Sequence, residues 1–135
     1  MKTHPLRLVP GQDLKRELDA LAQARDWSAA CVLTGIGSLS SVAIRFAGAE
    51  TTELLHGPWE IISLGGTLSR NGPHLHILVS DREGVTRGGH LMDGSIINTT
   101  AEIVIGVLPE WEFTREADEE TGHAELTIEP TGEGL

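Results

Sequence analysis

The chain has 135 residues, the size of one domain and long enough to hold a core without a disulfide or a metal. Asp and Glu outnumber Lys and Arg by 20 to 10, giving a formal net charge of −10 and a pI near 4.9. Lys15-Arg16 is the only basic pair, so the charge argues against direct nucleic-acid binding, which relies on phosphate neutralisation. With 39% hydrophobic residues, 4% aromatics and no tyrosine, the core is expected to consist mostly of Val, Ile, Leu and Ala.

The first segment, MKTHPLRLVPGQ, is broken by prolines and polar residues and has no apolar signal-peptide region. No later run approaches the ~18 apolar residues of a membrane span, so a cytoplasmic protein with no membrane partner is expected. LRLV (residues 6–9) reads as a first strand, closed by Pro10-Gly11. In DLKRELDALAQARDW, Leu14, Leu18, Leu21 and Ala22 fall at helical spacing, and Asp13 suits the helix's positive end. A single apolar stripe predicts a helix packed on a sheet.

Strands follow. AACVLTGIGSL is an apolar run interrupted by Gly35 and Gly37, where a bulge or a close backbone approach is expected. The only cysteine, Cys31, lies in this run and reads as a small buried hydrophobe in a reducing compartment. SVAIRFA alternates, with Val42, Ile44 and Phe46 on one side and Ala43 and Arg45 on the other. TTELL is a short strand ending at His56-Gly57-Pro58, and WEIISLGGTLS is a longer one. After the hairpin discussed next come TTAEIVIGVL, then WEFT and HAELTIE as edge strands around the acidic loop EADEETG, and a frayed tail, residues 131–135. The pattern predicts an α+β domain: a largely antiparallel sheet with one N-terminal amphipathic helix packed on it.

LHILVSD and VTRGGHL flank Arg82-Glu83-Gly84, and a three-residue loop ending in glycine signals a type I turn with a G1 bulge. In that register Asp81 faces Val85 and His76 faces His90, while His74 shares the face of His76. Three imidazoles so placed can converge on one ion and leave a fourth coordination position open to solvent or substrate. Zn²⁺ is the first choice, and Fe²⁺, Mn²⁺ or Ni²⁺ also accept imidazoles. The plainer alternative is a strand whose outer face happens to carry histidines, and a slip of one residue would turn His90 away.

A metal site of this kind calls for a carboxylate as base or partner. Glu60, alternating with Ile62 and Leu64, is the weak catalytic candidate, with an ordinary outward-facing glutamate as the alternative. Glu102 has the same standing, Asp93 reads as a turn residue before Gly94, and His4, His56 and His123 receive no role. No GxxxxGK[ST] loop, complete dinucleotide fingerprint or GxSxG elbow is present.

The order GQDL, AACVLTGIGSLSSVAIRF, GPWEIISLGGTLS, PHLHILVSDREGVTRGGHL, TAEIVIGVL resembles the plants-and-prokaryotes conserved (PPC) domain over residues 4–130, read as a single domain. HLH…GGHL and WEIISLGGT are the most specific parts of the likeness. The resemblance implies an α+β fold and a homotrimer assembled through sheet edges and faces. Prokaryotic members carry a DNA-binding label through plant relatives that join the domain to AT-hook segments; this sequence has no RGRP core and no basic run. His74, His76 and His90 match histidines typical of prokaryotic members, which supports the metal site. Two readings follow: a trimeric binding or regulatory module with its own protein partners, or a small zinc-dependent hydrolase or lyase using the same histidines.

Overall fold

The computed structural model describes residues 1–132. In chain order the elements are β1 (Lys2–Leu8), α1 (Leu14–Ala24), β2 (Ala30–Arg45), β3 (Glu53–Leu68), β4 (His74–Ser80), β5 (Thr86–Leu91), β6 (Ile96–Val107), β7 (Trp111–Ala117) and β8 (Ala124–Pro130). Every strand pairing is antiparallel, so the α+β architecture is as the sequence implied.

Helix α1 buries Leu14, Leu18 and Ala22, one side chain per turn on the face that meets the sheet. Asp13 caps it: one carboxylate oxygen accepts from the Arg16 backbone N–H at 3.2 Å and the other from the Gly94 N–H at 2.8 Å. The same side chain thus starts the helix and ties it to the turn before β6.

The main sheet has six strands in the order β1-β6-β2-β3-β4-β5. Strand β1 begins earlier than the alternation suggested and includes Pro5, which is tolerated because β1 lies at the sheet edge and pairs with β6 alone. Two pairs of expected strands merge. AACVLTGIGSL and SVAIRFA form the single 16-residue β2, and TTELL and WEIISLGGTLS form the 16-residue β3, which continues through Gly57-Pro58.

Register shifts let these long strands bend. Against β6, β2 slips between Val32 and Thr34, between Gly37 and Leu39, and between Leu39 and Ser41. Beyond those points its far end leaves β6 and pairs with β5 through Ile44↔Leu91 and Arg45↔His90. Because β2–β3, β3–β4 and β4–β5 are also paired, these strands curl round until β5 meets β2. Gly89 makes that meeting possible: a Cβ there would lie 2.8 Å from the Arg45 carbonyl oxygen and 2.8 Å from Ile44 Cγ2.

One hydrophobic cluster fills the interior, with Leu39, Val42, Ile44, Leu68, Val79, Leu91, Ile97 and Ile105 essentially inaccessible. The expected aliphatic core is found. Ala43, expected on the opposite face from Val42 and Ile44, is buried as well, because its carbonyl accepts from Met92 N–H at 2.9 Å and the turn after β5 covers it. Cys31 is half-buried rather than enclosed.

Strands β7 and β8 are not edges of the main sheet, as the sequence reading had them, but pair only with each other. Phe113 anchors this hairpin, its N–H donating to Ser28 O at 2.9 Å and its carbonyl accepting from Ser69 Oγ at 3.2 Å and Asn71 Nδ2 at 2.9 Å. Thr131 is held by Pro109 and Glu110, its Oγ1 donating to the Pro109 carbonyl at 2.8 Å. Residues 133–135 of the expected frayed tail lie outside the described residues. Among the described residues no helix is long and apolar enough to cross a membrane.

Candidate metal centre

The turn between β4 and β5 fixes the site. Asp81 N–H donates to the Val85 carbonyl at 3.0 Å, and Asp81 Oδ1 accepts from the backbone N–H groups of Glu83 at 2.9 Å and Val85 at 3.0 Å. The loop is therefore held from within by one aspartate. The resulting register sets His76 opposite His90, as the turn chemistry predicted. Leu75 and Ile77 point into the core, so His74 and His76 point outward together.

The three rings form a compact group. Ring centroids are 5.2 Å apart for His74–His76, 4.7 Å for His76–His90 and 5.4 Å for His74–His90. One donor nitrogen from each lies within 4.8 Å of the others. A tetrahedral ion with bonds near 2.0–2.1 Å holds its ligand atoms about 3.3 Å apart, so small χ rotations close the set. Among the described residues no protein group hydrogen-bonds to these rings, which leaves their nitrogens open. The residues present fit a divalent transition-metal ion.

At His74 and His90 the surroundings favour the neutral imidazole, the form that binds metal. Burial lowers the His74 pKa most, then Arg115, His76 and His90, with Glu125 opposing. Burial also leads for His90, followed by Arg45, His76 and His123.

Gly66, opposite Leu75 beside the site, has φ +136°, where a side chain is strained. Any Cβ there would run into the His74 carbonyl oxygen and come 2.9 Å from Leu75 Cα. The WEIISLGGT segment therefore needs this glycine to let β3 lie against the first histidine.

A cavity of about 420 Å³ opens beside the rings, lined by His74, His90, Arg45, Arg115, His123 and Glu125 among others. Arg115, His123 and Glu125 come from the β7–β8 hairpin. The sequence reading assigned none of these a role.

Glu60 lies elsewhere. A register shift between Ile61 and Ser63 breaks the alternation, so Ile61 and Leu64 point inward while Glu60 and Ile62 point outward. Glu60 therefore does not share a face with Leu64, as strict alternation implied. It pairs with Ser80, four residues along β4 from His76, a distance of about 13 Å at the strand rise. Glu102 is exposed between Arg7 and Ile36 on neighbouring strands, and Asp93 is a turn residue near Arg16, with Nε to Oδ2 at 3.5 Å.

A structure of a hypothetical protein of Salmonella enterica shares 45% identity at a TM-score of 0.94, over 96% of this chain and 94% of that one. A protein of Archaeoglobus fulgidus described as metal-containing shares 29% identity at a TM-score of 0.81, over 94% of each chain. A bifunctional protein GlmU of a Synechococcus strain is 48% identical over 130 residues, 96% of this chain, and a second strain's is 45% identical. The chain spans about a fifth, 21%, of the length of these curated relatives. The family signature of the Plants and Prokaryotes Conserved (PCC) domain covers residues 1–109, and the chain belongs to that family.

Proposed function

We propose that this protein is a trimeric, metal-binding PCC module that serves as a binding or regulatory unit, with Zn²⁺ held by His74, His76 and His90. The observation that carries the metal is the convergence of three imidazole nitrogens within 4.8 Å beside an open cavity. The metal-containing archaeal relative is in keeping with it. The module reading is supported by the likeness to a fifth of a longer bifunctional protein, since a unit found inside other chains serves through what it holds and touches. Direct DNA binding is not proposed: the net charge is −10 and no basic run is present.

The trimer rests on exposed apolar surface. Ile36, Ile62 and Leu78, on β2, β3 and β4, are 53%, 53% and 37% exposed. Large aliphatic side chains on neighbouring strands favour burial against another subunit. Native mass spectrometry of the zinc-loaded protein is expected to give three times the 14.5 kDa chain mass with one zinc per chain. Ile62→Glu is expected to shift the population to monomer, and a monomeric parent would overturn the trimer.

A second reading, a zinc-dependent hydrolase or lyase, is favoured by one feature. Glu125 lines the cavity beside His74 and His90, where it could take a proton. The ion would supply Lewis acidity. Glu60 could take the same part only from a neighbouring subunit, given its place on β3.

A further inference from the structure

We propose that the cavity beside the histidines binds a small-molecule oxyanion, a carboxylate or a phosphomonoester, between Arg45 and Arg115. The proposal rests on the metal reading for the ion that completes the cradle, but the arginines stand on their own geometry.

Each arginine is placed by the fold. Arg45 sits opposite His90, where β2 curls round to meet β5. Arg115 reaches in from β7, and its Nη2 donates to Thr67 Oγ1 at 3.1 Å; Thr67 pairs with His74. The two guanidinium groups therefore flank the imidazole set through different neighbours, and both line the same cavity of about 420 Å³.

Neither guanidinium is neutralised by a described residue. Among the described residues Arg45 and Arg115 form no ion pair, whereas Arg16 contacts Asp13 and Asp93, and Arg70 contacts Asp26 and Glu112. Arg45 Nη1 has only the Ala49 carbonyl, at 3.5 Å, a marginal contact. Both arginines are half-buried in a chain of net charge −10 that has carboxylates to spare. Among the described residues Glu125 is the one carboxylate lining this cavity, and it forms no ion pair with either arginine. A planar guanidinium presents a fork of N–H donors that matches two oxygens of a carboxylate or phosphate. With a divalent ion on the histidines, the cations around the cavity would exceed its single carboxylate further, and an anion could be held from both sides.

The volume suits a small molecule rather than a macromolecular segment. Methyl phosphate and succinate, titrated separately into zinc-loaded protein by calorimetry, distinguish the two sources of oxyanion. One of them is expected to bind saturably, with one molecule per chain. Arg45→Gln and Arg115→Gln are each expected to weaken that binding at least tenfold while elemental analysis still finds the parent's zinc content. Parent-like binding in both variants, or no binding of either anion to the parent, would overturn the proposal. If the protein takes up no zinc, the metal reading fails separately. The same titrations into metal-free protein then decide for the arginines: saturable binding lost in the variants supports them, and its absence removes them.

Discussion

His76→Ala is expected to abolish stoichiometric zinc binding, lowering affinity by at least about 100-fold, and to leave the metal-free protein folded. Loss of even an outer partner of a metal ligand costs roughly 10–100-fold, and His76 is proposed as a direct ligand. Its ring is central, with centroids 5.2 and 4.7 Å from those of His74 and His90. The fold owes little to it, because Leu75 and Ile77 carry the burial of β4 and the His76 ring is exposed. Exposed substitutions of this kind change stability by about 0.5 kcal/mol, so Tm should move by no more than about 2 °C. Elemental analysis and thermal denaturation of the variant check both halves. Parent-like metal content would mean that the ligand set is wrong.

Gly66→Ala should do the reverse, harming the fold first and the metal through it. The residue has φ +136°, and its added Cβ would meet the His74 carbonyl oxygen. Backbone strain of this kind costs about 1–3 kcal/mol and overpacking a similar amount, so a loss of about 2–4 kcal/mol is expected. For a domain of this size that lowers Tm by on the order of 10 °C. Separating β3 from β4 at this point also displaces His74, so zinc affinity should drop even where the variant folds. A variant with unchanged Tm and metal content would show that the strands do not approach as described.

Much of the histidine site was legible in the sequence because its determinants are local. A three-residue loop ending in Gly84, with Asp81 before it, sets the hairpin register, and register alone brings His76 opposite His90. The helix was equally readable, since Leu14, Leu18 and Ala22 mark one face and Asp13 its cap. What was not legible depends on bulges and on distant packing. The shift between Ile61 and Ser63 turns Leu64 away from Glu60, and no residue type announces it. The curl that brings Arg45 beside His90 arises from several such shifts in β2. Arg115, His123 and Glu125 reach the cavity because β7–β8 forms its own hairpin anchored through Phe113. In sequence they look like ordinary polar residues on an exposed strand and its turn.

Metal per chain in the purified, untagged protein, measured by elemental analysis before and after mild chelation and after reconstitution, decides whether the three histidines hold an ion. Close to one equivalent of zinc is expected, removed by chelation and restored by reconstitution. No bound metal under any of these conditions would contradict it, and His74, His76 and His90 would then be three histidines on the outer face of a hairpin.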